Sequence, residues 1–339
     1  MSLYPLTFEP RYVEKIWGGR KLETVLGKTL PAGKQIGESW ELYDFPPGVV
    51  EEGAWTSATV ANGPLAGRTV HELVEQYGRD LHGDVPLVEG RQFPILIKFL
   101  DAREDLSVQV HPPKAYADTH PGAHLKTEAW YVIQHEPAAR ILKGVRPGVT
   151  RQQFEKAIAD NTVEDLICAI PVKEGDCHFL PSGTVHALGA GILVAEVQTP
   201  SDTTFRVYDF GRLENGKPRK LHIAEALECI DFDAPPPPPQ KRSHVASYFT
   251  TVTRLVDCPF FRIEKVRMTE GLHEKIPYDQ PVIWMMLEGS AQLTVDGIAE
   301  PVSVTRGQTV LLPAKMNNPM IRTLSDCVWL EVTFPQTGE

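Results

Sequence analysis

The sequence predicts a mainly β fold made of two successive β modules, with a few short helices set into the first. Three observations carry that expectation. Pro and Gly are abundant, at 29 and 26 of 339 residues, as many short strands joined by turns require. Short apolar runs bounded by turn residues recur from about residue 93 to 210 and again over 248–334. Between them stands DAPPPPPQ at 233–240, whose prolines offer no backbone donors and suit neither a helix nor a sheet interior. It reads as an extended connector. The expected organisation is residues 1–232, a linker at 233–240 and a second β domain at 241–339. A chain of this length exceeds one compact core.

The elements follow in order. Residues 1–60 carry turn residues and aromatics, notably IWGGRKL at 16–22 and GESWELYDFP at 37–46. Residues 69–80 predict a short helix, with Thr69 as its cap and Val70, Leu73 and Val74 at helical spacing. FPILIKFLDA at 93–102 is a nearly continuous apolar strand, and DLSVQVHP at 105–112 is a second strand. Alternation there puts Leu106, Val108 and Val110 on a core face and Ser107, Gln109 and His111 on the other. HLKTEAWYVI at 124–133 reads as a strand with Lys126 and Glu128 sharing a face. Residues 149–167 predict one or two short helices, and strand text resumes over 172–210. Beyond the connector, PVIWMMLEGSAQLTVDG and VSVTRGQTVLLPA are strand and turn throughout. EGDCHFLP and RGQTVLLP echo one another, each with a glycine, five residues and a proline, as a repeated β module would.

Composition excludes several functions. The net charge of −10 disfavours nucleic acid and anionic membrane surfaces as partners, so an anionic substrate needs a local cluster of cations. The 5 cysteines form no CxxC pair, which suits free thiols in a reducing, cytoplasmic setting. No basic segment leads into an apolar core at the N-terminus, and no apolar run reaches transmembrane length. A small molecule is the expected partner, acting on a monomer or a homodimer.

Four segments carry chemistry. On 105–112, Gln109 and His111 can reach one metal, although a solvent-facing strand alternates in the same way. Glu128 enters an Ala-Trp-Tyr-Val-Ile run, where an unpaired carboxylate is costly and calls for a metal or cation. In GDCHFLPSGTVHAL, Pro181 and Gly183 predict a tight hairpin turn after which His186 begins the return strand. That spacing is similar to the second metal motif of the cupin superfamily. The resulting set, Gln109, His111, Glu128 and His186, suits a catalytic Zn²⁺ and equally a two-histidine, one-carboxylate iron site. In EVQTPSDTTFRVYDFGR, Glu196 follows the His186 strand, and Arg206 can stabilise a developing enediolate or hold a phosphate. Arg212 is a further phosphate candidate.

Taken together, FPILIKFLDAREDLSVQVHP, KTEAWYVI, LPSGTVHALGAGILVAEVQTPSDTTFRVYDF and GKPRKLHI resemble the type I phosphomannose isomerases, in their short bacterial form. IWGGRKL and GESWELYDFP are similar to that family's N-terminal segments, and the resemblance is dense from about residue 10 to 225. It implies tandem cupin domains, jelly-roll β-barrels, of which the second lacks metal ligands because no histidine follows RGQTVLLPA. It implies one Zn²⁺ per chain on Gln109, His111, Glu128 and His186, with Arg206 as the catalytic arginine. Ser107, Lys126, Glu196 and Arg212 match positions of sugar or phosphate contact, and Lys126 and Glu196 are the candidate proton carriers. The implied reaction is reversible isomerisation of mannose-6-phosphate to fructose-6-phosphate through a cis-enediol. Two other functions use the same residues. An Fe²⁺ cupin oxygenase predicts oxygen consumption, and Gln109 with the late-arriving Glu128 argues against it. A non-catalytic sugar-phosphate-binding protein predicts binding without interconversion, and Arg206, Lys126 and Glu196 beside a full ligand set argue against that.

Overall fold

The computed structural model describes residues 2–46, 49–50, 56–89, 91–214, 216–235 and 243–335. Residues 236–240 of the proline-rich connector lie outside the described residues. Strand dominates, and the pairings among the described strands are antiparallel, several with a bulge or register shift (His186 lies opposite Gln109, and Glu196 opposite Lys98).

Four sheets lie in layers, and side-chain alternation dictates the stacking. The six-stranded sheet runs Arg11–Gly19, Ile36–Leu42, Leu96–Ala102, Ile192–Gln198, Glu128–His135, Cys177–Leu180. On one face, Leu100, Trp130, Val132, Ile192 and Val194 meet Ile141 and Leu188 of the five-stranded sheet. On the other face, Ile97, Phe99, Leu193, Ala195 and Val197 meet Ile283, Met285, Leu330 and Val332 of the seven-stranded sheet. A strand buried on both faces has no polar side to show, which is why FPILIKFL reads as one apolar run.

The five-stranded sheet runs Phe205–Tyr208, Val108–Val110, His186–Leu188, Arg140–Val145, Ile167–Pro171. Its outer face is sealed by helices Arg151–Ala159 and Ile223–Cys229, through Phe154, Ile158, Ala226 and Leu227. The seven-stranded sheet faces the four-stranded one across Trp284, Trp329, Leu293, Val304 and Ile321. Its edge includes Leu6–Thr7, which pairs with Thr309–Leu312.

The helices follow local signals. Val70–Tyr77 starts at Thr69, whose side chain accepts from the Glu72 amide while Glu72 reaches back, a capping box. It stops at Gly78, two residues short of the expected end, and Arg79–His82 adds a separate turn. Thr150 and Gln153 form the same box for Arg151–Ala159.

Two local expectations are corrected. Pro181 and Gly183 do not close a hairpin: Cys177–Leu180 pairs with Glu128–His135, whereas His186–Leu188 pairs within the five-stranded sheet. The turn instead carries the chain across from one sheet to the facing one. It is fixed there by the Gly183 amide donating to His111 O and the Asp231 amide donating to Gly183 O. The strand expected over 105–112 is confined to Val108–Val110. Alternation therefore stops before it: Val108 and Val110 pack toward the helices, while Leu106 enters the core between the sheets.

Candidate active site

Register assembles the site. Arg206, Gln109 and His186 are partners across three neighbouring strands of the five-stranded sheet, so their side chains leave one face together. On the facing sheet, Trp130, Glu196 and Lys98 form a row across three strands, with Glu128 one pleat along from Trp130. His111 follows the last residue of its short strand, two positions beyond Gln109 and on the same side.

His111, Glu128 and His186 converge with one ligand atom each, all within 4.8 Å of one another. His186 Nε2 lies 3.2 Å from Glu128 Oε1, and His111 Nε2 lies 3.4 Å from Glu128 Oε2. All three residues are buried to 1% exposure or less. His111 Nδ1 is 3.0 Å from Thr203 O, and His186 Nδ1 is 2.9 Å from Thr184 O. A carbonyl accepts, so each Nδ1 carries the hydrogen and each ring turns its Nε2 toward the centre. Burial, with Lys126 adding to it, pushes His111 down to about 3, so the ring stays neutral. Burial alone would raise the Glu128 carboxyl, but the Lys126 ammonium holds it well below the usual range.

His111 Nε2 and both Glu128 oxygens are buried without an aligned hydrogen-bond partner. Lys126 Nζ stands 3.0 Å from Glu128 Oε2, an ion-pair approach rather than an aligned hydrogen bond. Desolvated acceptors of this kind are costly unless something satisfies them. Two imidazoles and one carboxylate fit a divalent cation. Gln109 is adjacent, with its amide nitrogen 3.5 Å from His186 Nε2 and its oxygen accepting from Ser107 at 3.2 Å. Turning that amide end over would bring its oxygen to the centre.

Lys126 sits just before the strand Glu128–His135 rather than within it, yet its ammonium joins the carboxylate as expected. Glu196 lies alongside: Trp130 Nε1 donates to its Oε1 at 2.9 Å, while Oε2 is buried and has no hydrogen-bond partner. Burial raises the Glu196 carboxyl, against the pull of Lys98 and with Glu128 adding to the rise. Arg206 Nε reaches Ser107 Oγ at 3.3 Å, and its Nη1 donates to Lys220 O at 2.9 Å. Arg212 is tied to Asp209 at 2.6 Å and also donates to Asp105 O, so it is less free than its sequence context implied.

Four features went unread in the sequence. Lys98 bridges Glu196 and Glu38 between the facing sheets, at 3.4 and 3.5 Å. The visible signal was a lone lysine inside FPILIKFL. Glu38 lies within GESWELYDFP and Trp130 within the Glu128 strand, both on the page but without a pattern that marks them. Arg219 shares Asp209 with Arg212, a second cation held by one carboxylate. His178, on Cys177–Leu180, takes no part in the trio, and burial with Lys143 holds it down to about 4.

A family model described as phosphomannose isomerase type I, catalytic domain, matches residues 6–143. A mannose-6-phosphate isomerase of Bacillus subtilis is 34% identical over 97% of this chain and 99% of its own length. One from Streptococcus mutans is 35% identical over 91% of this chain and 92% of its own. The crystal structure of a mannose 6-phosphate isomerase from Bacillus subtilis superposes with a TM-score of 0.85 at 32% identity, covering 98% of this chain and 100% of that one. The apo mannose 6-phosphate isomerase of Salmonella typhimurium shares the fold at a TM-score of 0.72 and 14% identity, over 98% of this chain and 100% of that one.

Proposed function

The chain belongs to the type I phosphomannose isomerases, and from that membership we propose that it interconverts mannose-6-phosphate and fructose-6-phosphate through a cis-enediol at a single zinc centre. It is an enzyme of the class that interconverts aldoses and ketoses. The observation that carries the mechanistic reading is the convergence of His111, Glu128 and His186 with Glu196 and Arg206 between two facing sheets.

His111, Glu128 and His186, joined by Gln109 through its amide oxygen, would hold the zinc ion, which when bound supplies Lewis-acid polarisation of the sugar carbonyl and its neighbouring hydroxyl. Of the two candidate proton carriers, Lys126 is committed to Glu128 by a 3.0 Å ion pair, whereas Glu196 keeps a buried oxygen without a hydrogen-bond partner. Burial also makes Glu196 a stronger base. In this reading Glu196 takes the C2 proton of the open-chain aldose. The C2–H electron pair becomes the C1=C2 bond, and the carbonyl pair moves to O1, which takes a proton that solvent supplies and later recovers from the C2 hydroxyl. The C2 hydroxyl then releases its proton as a carbonyl forms at C2, and Glu196 returns its proton to C1. Arg206 stabilises negative charge as it grows on oxygen. Ser107 orients Arg206, and Arg212 offers the phosphate a guanidinium already fixed by Asp209.

The two sheet pairs are read as tandem cupin barrels over residues 1–232 and 241–339, the second without metal ligands. Free cysteines suit a reducing compartment, in agreement with a cytoplasmic enzyme.

The test is formation of fructose-6-phosphate from mannose-6-phosphate by protein stripped of metal and then restored with zinc. Restored turnover that falls by about 10²–10³ in kcat for Arg206→Ala supports the reading. An enzyme that turns over equally well without metal, or with Arg206→Ala, sinks it.

A further inference from the structure

We infer that Glu38 is a positioning residue for this reaction, holding the Lys98 ammonium off Glu196 so that the proton-carrying carboxylate keeps a free oxygen. The inference rests on the proposed role of Glu196 as proton carrier.

The geometry is a chain of alternating charges running from near the surface to the site. Lys15 Nζ, on a side chain 33% exposed, pairs with Glu38 Oε1 at 3.0 Å. Glu38 Oε2 accepts from Trp40 Nε1 at 2.6 Å, so the carboxylate is anchored at both oxygens. Lys98 Nζ then stands 3.5 Å from Glu38 Oε2 and 3.4 Å from Glu196 Oε2. A charge-assisted N–H···O bond closes to about 2.7–2.9 Å. Lys98 is thus suspended between two nearly equal attractions and tightly bonded to neither. The Trp40 ring, its centroid 5.0 Å from Nζ, backs it from the Glu38 side.

Removing the Glu38 charge makes the pull one-sided. The groups facing Glu196 are Lys98 and the Trp130 indole at contact, with Glu128 and Lys126 acting through their charge. Lys98 also feels Asp202 and Glu128, neither of which replaces Glu38 at contact distance. Without Glu38 the ammonium closes onto Glu196 Oε2, covers its lone pair and weakens it as a base. Substrate binding and the metal ligands are untouched.

The experiment is a double-mutant cycle on the zinc-loaded enzyme, with Glu38→Gln, Lys98→Met and the pair. It measures kcat, KM, zinc content and wash-in of solvent deuterium at C2. Glu38→Gln is expected to lower kcat and deuterium exchange about tenfold. KM should stay within about twofold, with full zinc occupancy. In the Lys98→Met background the same substitution is expected to change kcat by less than about twofold, because no ammonium is left to move. Equal factors in both backgrounds, or an unchanged kcat in Glu38→Gln, overturn the inference. Should Glu38→Gln fail to fold, Glu38→Asp, which keeps the charge, serves with Glu38→Ala: a smaller loss of kcat for Asp supports the inference, and equal losses overturn it. Glu196→Gln separates the two layers. If it keeps normal exchange at C2, the proton-carrier reading falls and takes this inference with it. If it abolishes exchange while the cycle is additive, the positioning role of Glu38 alone falls.

Discussion

At the scale of single residues, the site is a set of charges that need one another. Glu128 is buried to 0% exposure between two imidazoles and Lys126. Glu128→Gln keeps the shape and removes the charge, and metal affinity is expected to fall by more than about 100-fold. Competition with a chelator, followed by metal analysis, measures it, and a variant that holds zinc as tightly as the parent refutes the ligand assignment. Asp209 is a different case, since it serves two arginines. Burial would raise its carboxyl, but hydrogen bonds from Arg219 and Arg212 hold it below the usual carboxylate range. The folded pKa lies below the unfolded one, so the stabilisation is fully present above the unfolded value of about 3.9 and is lost as pH falls through the folded one. The stability gap between parent and Asp209→Asn is therefore expected to be wider at pH 7 than at pH 3 in urea unfolding. A gap independent of pH contradicts this. The trio was legible by three different signals: His186 by the spacing in GDCHFLPSGTVHAL, His111 by alternation on 105–112, and Glu128 by the cost of a carboxylate beside an apolar run. Lys98 and Glu38 were not, because their meeting depends on a register between strands some sixty residues apart, which no local spacing encodes.

At the scale of elements, local chemistry was readable and sheet membership was not. Thr69 announced its helix because a cap is made within four residues of the chain, and the same box at Thr150 lay unread within 149–167. The turn at Pro181–Gly183 was read as a hairpin because the turn residues are the same whether the chain returns to its own sheet or crosses to another. The crossing has a consequence for His186, which hangs from it. Gly183 has φ +86, and a Cβ there would stand 3.1 Å from Cys229 O. Gly183→Ala is expected to destabilise the protein by roughly 1–2 kcal/mol. It should weaken zinc binding as well, since the Gly183 amide holds His111 O and the next strand begins at His186. Denaturant unfolding with and without metal tests both parts. Wild-type stability in the variant shows that the turn tolerates the methyl group and that this reading of it is wrong.

At the scale of the whole molecule, the mainly β class was written in the composition and in the spacing of apolar runs. The stacking of sheets left one trace, the nearly continuous apolar text of strands buried on both faces. What no run of text disclosed is that the six-stranded and seven-stranded sheets share one core. Phe93 meets Phe334 edge to face at 5.8 Å, and Leu6 sits opposite Leu311. Two sheet pairs that share a core should lose it together. Thermal unfolding is expected to be one transition, coincident by far-ultraviolet circular dichroism and tryptophan fluorescence. Two separated transitions at fixed metal occupancy show instead that the pairs melt independently.

The pairing of Leu6–Thr7 with Thr309–Leu312 also sets a timetable. On the ribosome the inner strands of the six-stranded sheet are all made by residue 198, but the strand Cys327–Thr333 that helps cover their outer face comes last. At roughly 5–20 residues per second the wait is on the order of ten seconds. Through that interval Ile97, Phe99, Leu193 and Val197 form a bare apolar wall on a half-made chain, and the first strand has no neighbour to join. Nascent chains halted before Val282 thus lack Ile283, Met285, Leu330 and Val332, the side chains that cover this wall in the finished protein.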